Sequence, residues 1–443
     1  MSSVVDREIR GPLRIRGTIR VPGDKSISHR AVMLGGVARG RSSVTNLSTA
    51  ADVGTTIDAM RRVGVHIDVH GDSRLTLRGV GLEGFESLGK AASGIPLEID
   101  CGNSGTTARL LLGLLGGASI AARLTGDASL ESRPMSRVVL PLREAGVEFP
   151  EPCETLPCVV AGGKVGPCVH RLAVASAQVK SALILAALFA CGETTLHEPL
   201  PTRDHTERLL AAMGGKIDID ETGEGRTIRV GGRPALSPLR LTVPGDISSA
   251  AFFIAASLLC PDSRLTVEDV LLNPTRAALL DVLRDMGGSI VVRRQGSDLP
   301  EPRGTVTSES SPLRGVTVEP EAVPLLIDEF PVIAVCGMFA RGYTTVRGAA
   351  ELRVKESDRI GAIVRLVRAF GGDIEEYDDG FRVTGRDAPP LHPGRVDSGG
   401  DHRIAMAASV AAAAIRGASV IGGADAVYVS FPEFYGIMRS CSV

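Results

Sequence analysis

An α/β fold of two similar domains, each built from repeated modules, follows from three recurrences along the chain. Val21-Pro-Gly-Asp24 returns half a chain later as Val243-Pro-Gly-Asp246, and each copy opens an apolar helical stretch. A Gly-x-Ser/Thr-x-aliphatic strand follows an apolar helix at Gly40-Arg-Ser-Ser-Val44, Gly117-Ala-Ser-Ile120, Gly192-Glu-Thr-Thr-Leu196, Gly342-Tyr-Thr-Thr-Val346 and Gly417-Ala-Ser-Val420, with Asp262-Ser-Arg-Leu-Thr-Val267 in the remaining slot. A helix that stops at glycine and runs into a strand recurs at Met60 to Ile67, Leu142 to Val147, Ala212 to Ile217, Arg284 to Ile290 and Arg368 to Ile374. Self-similarity at a fixed period marks a modular architecture, and glycine stops a helix because it takes the left-handed conformation without Cβ strain. The starts fall roughly 70 to 80 residues apart, so six modules account for the chain, each reading roughly helix, strand, helix, strand, strand. Strands alternating with helices make a core only by stacking their apolar faces. Two groups of three modules, divided near Thr242, is the economical arrangement, and it predicts a cleft between the domains. The sixth module stops in its second helix, near Phe431 to Ser440, and the strand Arg14 to Val21 is expected to supply what it lacks.

Length and composition agree with that division. A chain of 443 residues exceeds one ordinary core. With 44% apolar and 23% charged residues it reads as a soluble globular protein, and a net charge of −2 gives no global field for nucleic acid or membrane. Anionic ligands would have to be held by local clusters. Aromatic residues are 3% and Trp is absent, which disfavours a base-stacking surface. The longest nearly uncharged runs, Leu110 to Ala122 and Ile404 to Ile415, are too short to cross a bilayer, and the charged stretch Met1 to Arg20 is not a secretory signal. Eight scattered cysteines without framework spacing predict free thiols in a reducing compartment, the cytoplasm. Cys153, Cys158, Cys168 and His170 could be drawn as a zinc site, but their gaps fit no zinc template and no metal is expected. Arg293 to Arg314, rich in Pro, Gly and Ser, reads as a surface excursion.

The helix entrances carry the candidate chemistry. In module order the first helices open at Asp24-Lys-Ser-Ile-Ser-His-Arg30, Asn103-Ser-Gly-Thr-Thr-Ala-Arg109, Ser176-Ala-Gln-Val-Lys180, Gly245-Asp-Ile-Ser-Ser249, Asp328-Glu-Phe-Pro331 and Asp401-His-Arg403. Second helices open at Arg133-Pro134, Arg203-Asp-His-Thr206 and Lys355-Glu-Ser-Asp-Arg359. Capping explains the Ser, Thr, Asn and Asp of these segments, with Ser26 or Ser28 as the cap of the first helix. It does not explain Lys25, Arg30, Arg133, Lys355, Arg359 and Arg403, because the N-terminal end of the helix dipole favours anions. Cations there read as a site for at least two phosphate or carboxylate groups; structural salt bridging is the competing reading. Neither the Gly-Lys-Ser/Thr triplet of a nucleotide phosphate loop nor Gly-x-Gly-x-x-Gly is present. Asp328 and Glu356 stand among the cations, with His402 as a third proton carrier, and carboxylates in a positive field can work as base or acid. Ser176 has no His/Asp relay nearby in the chain, against a serine-hydrolase reading.

Taken together and in order, Pro22-Gly-Asp-Lys-Ser-Ile-Ser-His-Arg-Ala31, Gly102-Asn-Ser-Gly-Thr106, Arg133-Pro-Met135, Ser176-Ala-Gln178, Leu352-Arg-Val-Lys-Glu-Ser-Asp-Arg359 and Asp401-His-Arg-Ile-Ala-Met406 resemble the 5-enolpyruvylshikimate-3-phosphate (EPSP) synthases over nearly the whole chain. The resemblance implies two domains of three βαβαββ modules, each an inside-out α/β barrel, spanning 22–242 and 1–21 with 243–443, with the active site in the cleft. It implies transfer of the enolpyruvyl group of phosphoenolpyruvate to the 5-hydroxyl of shikimate 3-phosphate by a monomer without metal or cofactor, and without nucleic-acid or membrane partners. Carried over by motif, the shikimate 3-phosphate contacts are Lys25, Ser26, Arg30, Ser176, Ala177, Gln178, Arg203, Asp328 and Lys355. The phosphoenolpyruvate contacts are Lys25, Gly105, Arg133, Gln178, Arg359 and Arg403. Asp328 becomes the acceptor of the hydroxyl proton and Glu356 the donor to the methylene carbon, with Lys25 and His402 beside them. Gly105, lacking a Cβ, implies sensitivity to glyphosate. Two departures stand out: no lysine precedes Ser430-Phe-Pro432, where many members carry one and this chain has Val429, and Ala177 replaces a serine found in part of the family. The alternatives are the related transferase acting on UDP-N-acetylglucosamine, whose loop cysteine is missing from Leu124 to Met135, and a non-catalytic binding relative, which would be expected to have lost Asp328 or Glu356.

Overall fold

The computed structural model describes residues 5–90, 95–223, 225–296, 300–385 and 390–443. They divide into two compact units, Gly23–Val243 and a split unit of Met1–Pro22 with Pro244–Val443. Each has its own buried core. The fold is α/β. In the split unit the first helices of the three modules, Ile247–Leu259, Phe330–Phe339 and His402–Ala414, pack on one another. They are buried almost end to end. Lys25–Val37, Gly105–Gly117 and Ala177–Ala187 are the corresponding buried helices of the other unit. Helices apolar on every side belong inside a core. Close approach needs missing side chains: a Cβ on Gly113 would lie 2.1 Å from the Ala182 carbonyl oxygen of the neighbouring helix.

Each module adds a small sheet to this helical centre. In the first, the order is Arg240–Thr242, Arg39–Thr45, Arg74–Val80, His66–His70, with the edge strand Arg240–Thr242 parallel to its neighbour and the rest antiparallel. The fourth repeats the pattern, with Arg16–Ile19 parallel to Arg264–Leu271. The strand that precedes the first helix therefore serves the fourth module, and the strand that precedes the fourth module's helix serves the first. The turns from the second helix to the next strand all use glycine at positive φ, from +76° at Gly371 to +113° at Gly64.

Four expectations need correction. Arg14 to Val21 does not complete the sixth module: its strand, Arg16–Ile19, belongs to the fourth, and Arg7–Gly11 pairs antiparallel with Gly417–Gly422 instead. Gly117 to Ile120 is not a strand, because Gly117 ends the helix, Ser119 turns the chain at φ 55°, and the strand is Ala122–Thr125. Arg293 to Arg314 is largely a hairpin of Ser289–Gln295 with Arg303–Glu309 inside a four-stranded sheet. Residues 297–299 of that stretch lie outside the described residues. The cap of the first helix is Asp24, whose Oδ1 accepts from Ile27 N at 2.8 Å; Ser26 and Ser28 are already helical.

Candidate functional site

The Gly23–Val243 unit gathers nine of the predicted residues through its three buried helices. Lys25, the first helical residue after the Asp24 cap, holds Asp52 Oδ2 at 2.9 Å. Arg30, one turn on, is buried and donates to Thr206 Oγ1 at 2.7 Å, Ser181 Oγ at 2.7 Å and the Ser26 carbonyl at 2.9 Å. Arg203 Nη1 reaches Ser26 Oγ at 3.4 Å. Ser176 caps the helix Ala177–Ala187, and Gln178 on its first turn accepts from Arg109 Nη1 at 2.8 Å and donates to Thr106 Oγ1 at 3.0 Å. Arg133 Nη2 donates to Asn103 Oδ1 at 2.8 Å, and a Cβ on Gly105 would lie 2.9 Å from Arg109 Nη1 and 3.6 Å from Arg133 Nη1. Lys25, Ser26, Arg30 and Arg203 thus form one group, Gly105, Arg133 and Gln178 another, and the helix Ala177–Ala187 supplies a partner to each.

A buried ionic cluster stands under this surface. Lys180 and Glu198 have side chains 0% exposed, and Lys180 Nζ lies 2.8 Å from Glu198 Oε1 and 2.8 Å from Glu207 Oε1. Burial alone would lower the Lys180 ammonium, but Glu207 and Glu198 outweigh it and hold it above its ordinary value. Glu198 also accepts from Thr202 N at 3.1 Å, so Lys180 fixes the turn that presents Arg203.

The split unit gathers the remaining six. Arg359, 1% exposed, is the hub: Nε lies 2.9 Å from Asp401 Oδ2, Nη1 3.3 Å from Asp328 Oδ1 and Nη2 2.5 Å from Glu356 Oε2. Arg403 Nη1 donates to the Asp328 carbonyl at 2.9 Å, and its Nη2 lies 3.6 Å from Asp328 Oδ2. Asp401 caps the helix His402–Ala414 and thereby holds His402 and Arg403 at its entrance. Burial pushes the Asp401 carboxyl up, yet Arg359 and His402 outweigh it and hold it below its usual range. Lys355 is pushed down from the ordinary ammonium range by burial, and Asp328 and Glu351 only partly offset this.

Cations and carboxylates are therefore interleaved, not segregated. Salt bridging, the competing reading from sequence, describes Arg359 and Lys25 in this structure, whereas Arg30 and Arg133 have neutral oxygens among their partners. An arriving anion must compete with Asp52 for Lys25 and with three carboxylates for Arg359. Sequence reasoning passed over Asp52, Arg109, Lys180 and Asp401 as site residues. Asp401, Arg109 and Lys180 fall within the helix entrances read from the sequence but carry no mark there beyond capping and charge; Asp52, in the first turn of Ala51–Val63, lies outside them. It also missed Arg276, which is 2% exposed, donates from Nη2 to Ser248 Oγ at 2.7 Å and lies 3.8 Å from Glu329 Oε1, the residue after Asp328. Val429, at the expected lysine, is on a short helix and 44% exposed. Among the described residues no group of His, Cys, Asp and Glu could hold a metal ion, and no single helix is long and apolar enough to cross a membrane.

Residues 9–438 match the family described as EPSP synthase (3-phosphoshikimate 1-carboxyvinyltransferase). The chain belongs to the EPSP synthase family. The 3-phosphoshikimate 1-carboxyvinyltransferase of Desulforamulus reducens is 42% identical over 433 residues, 97% of this chain and 98% of the relative. That of Roseiflexus castenholzii is 46% identical over 435 residues, 97% of each chain. The solved structure of the EPSP synthase from Acinetobacter baumannii superposes with a TM-score of 0.86 at 36% identity, over 99% of this chain and 98% of that one. The enolpyruvyl transferase NikO of Streptomyces tendae, TM-score 0.73 at 20% identity over 98% and 97% of the two chains, shares the fold. The EPSP synthase fold, two α/β domains of the inside-out kind, agrees with the buried helical centre of each unit.

Proposed function

We propose that the chain transfers the enolpyruvyl group of phosphoenolpyruvate to the 5-hydroxyl of shikimate 3-phosphate and releases phosphate. What carries the reading is the placement of Asp328, a carboxylate 3.3 Å from Arg359 and 3.6 Å from Arg403, with Lys355 among its charged neighbours. A base surrounded by cations suits a reaction whose substrates are both anions. In the proposed cycle Asp328 accepts the 5-hydroxyl proton as that oxygen bonds to C2 of phosphoenolpyruvate, and Glu356 delivers a proton to C3. The resulting ketal then loses phosphate from C2 and a proton from C3, which restores the double bond.

The remaining assignments follow the same reading. Lys25, Ser26, Arg30, Ser176, the Ala177 N–H, Gln178, Arg203 and Lys355 hold shikimate 3-phosphate. Lys25, Gly105, Arg133, Gln178, Arg359 and Arg403 hold phosphoenolpyruvate, and His402 lies at the same helix entrance as Arg403. Each charge-assisted contact is worth about 1.5–3 kcal/mol, so several together outweigh the repulsion of two bound anions. The reading takes the enzyme as a cytoplasmic monomer, and its free thiols suit a reducing compartment. Phosphate release should require both substrates, and Asp328→Ala should cut kcat by about 10²–10⁴-fold while shikimate 3-phosphate still binds. Phosphate release that ignores shikimate 3-phosphate would remove the assignment.

A further inference from the structure

His29 lies one turn into the helix Lys25–Val37, fully buried, between two residues assigned to substrate. Its Nδ1 is 2.6 Å from Thr56 Oγ1, Thr56 Oγ1 is 2.7 Å from Thr107 Oγ1, and Thr107 Oγ1 is 2.7 Å from Ser104 Oγ and 3.4 Å from the Asp52 carbonyl oxygen. Ser104 caps the helix that begins at Gly105, Thr56 belongs to the helix Ala51–Val63, and Asp52 on that helix holds Lys25. A line of hydroxyls thus joins three helix entrances inside the Gly23–Val243 unit.

Counting hydrogens gives the line a direction. Thr107 has one hydroxyl hydrogen; if it goes to Ser104 or to the Asp52 carbonyl, the hydrogen between Thr56 and Thr107 must come from Thr56. The contact between His29 and Thr56 is then made by a hydrogen on Nδ1. The opposite direction runs from Ser104 through Thr107 and Thr56 to a bare Nδ1, and it leaves the ring hydrogen on Nε2. Nε2 is buried with no hydrogen-bond partner among the described residues. A buried N–H without a partner is rarer and costlier than a bare lone pair. A second proton is equally unwelcome: burial lowers the ring to a pKa of about 3, and Lys25 and Arg30 act the same way against the opposing pull of Asp52 and Asp24.

We propose that His29 is a positioning residue: held neutral with its hydrogen on Nδ1, it sets the spacing between the helix entrances that carry Lys25 and Gly105 through the hydroxyls of Thr56 and Thr107. The assignment of phosphoenolpyruvate to those two entrances rests on the function proposed above; the direction of the hydrogen-bonded line does not. A volume-filling role would depend on the size of the ring, whereas a positioning role depends on its donor.

Two measurements on the full chain test this. In protein labelled with 15N at histidine, a long-range proton–nitrogen correlation at neutral pH should show the His29 hydrogen on Nδ1, the signal being assigned by its loss in His29→Asn. Hydrogen on Nε2 overturns the proposal. In steady-state kinetics His29→Leu, which keeps bulk and removes the donor, should raise KM for phosphoenolpyruvate about three- to tenfold, the worth of one hydrogen bond. His29→Asn keeps an amide N–H near the place of Nδ1 and should keep that KM within about twofold, even where its smaller volume lowers the melting temperature below that of His29→Leu. KM following melting temperature, or equal KM effects in the two variants, would show a packing role only and overturn positioning. Wild type that releases no phosphate with these substrates would sink the functional reading, while the NMR result would still decide the tautomer.

Discussion

Lys355 has an environment that should be visible in kinetics. Burial lowers its ammonium pKa, with Asp328 and Glu351 in partial opposition, so the side chain loses its proton below the value of about 10.4 expected for an exposed lysine. The direction of the consequence follows from the charge. Below the shifted pKa the ammonium is present and can hold an anion; above it the contact is lost. KM for shikimate 3-phosphate should therefore begin to rise on the alkaline side before an ordinary lysine would titrate. Bound dianion should place the corresponding alkaline fall at a higher pH in kcat than in kcat/KM. Lys355→Arg keeps the charge throughout and should abolish the alkaline rise, at the expense of weaker binding from altered geometry. A pH profile of Lys355→Arg that superposes on that of the wild type would separate Lys355 from the substrate.

At the scale of elements, Asp328 sits at the start of Phe330–Phe339, a helix whose N-cap residue Glu329 makes no side-chain cap bond. Its carboxylate turns away to Ser248 and Arg276, and Arg276 in turn lies 3.4 Å from Asp246, the cap of Ile247–Leu259. Arg276 therefore ties two helix entrances together from the loop after Arg264–Leu271. Arg276→Met should destabilise the split unit by about 3–5 kcal/mol, the cost of leaving buried carboxylates without their cation. Adding Glu329→Gln should recover part of the loss, a coupling of at least about 0.5 kcal/mol. Simple additivity in denaturant unfolding would mean that the two side chains do not interact. This pair also marks the limit of what the sequence could tell. The helices, their caps and the glycine stops are local chemistry, and Asp401, Ser176 and Asp246 cap where the sequence places them. Arg276 with Glu329 and Lys25 with Asp52 are pairings across helices, which only packing decides. Asp24, Ser26 and Ser28 are all good caps in isolation; the extended backbone at Asp24, φ −56° and ψ 125°, selects the first.

The whole chain begins in one unit, builds the other, and returns, crossing at Pro22–Gly23 and at Val243–Pro244, the two copies of the repeated Val-Pro-Gly-Asp. Each copy follows a short strand, Arg16–Ile19 or Arg240–Thr242, that extends a sheet parallel to its neighbour. The sequence revealed the repeat but not the partners of the strands, since alternation states which face is buried and leaves open which edge is joined. Arg7–Gly11 illustrates the difference. It pairs along its length with Gly417–Gly422, buries Ile9, stacks the Arg7 guanidinium 4.0 Å from the Tyr435 ring and brings Gly11 so close to the helix His402–Ala414 that a Cβ there would lie 2.5 Å from the Ala412 carbonyl oxygen. Deleting residues 1–11 should leave the Gly417–Gly422 edge unpaired and lower the melting temperature of the split unit by about 3–12 °C, taking roughly 1.5–3 kcal/mol for Ile9 at about 2–4 °C per kcal/mol. Hydrogen exchange should show the effect as lost protection at Gly417–Gly422 and in the last turns of His402–Ala414, with the Gly23–Val243 unit unchanged. Because Arg403 opens that same helix, KM for phosphoenolpyruvate should rise as the helix loosens. Protection lost equally from both units would mean that the strand supports the molecule in some way other than through its sheet.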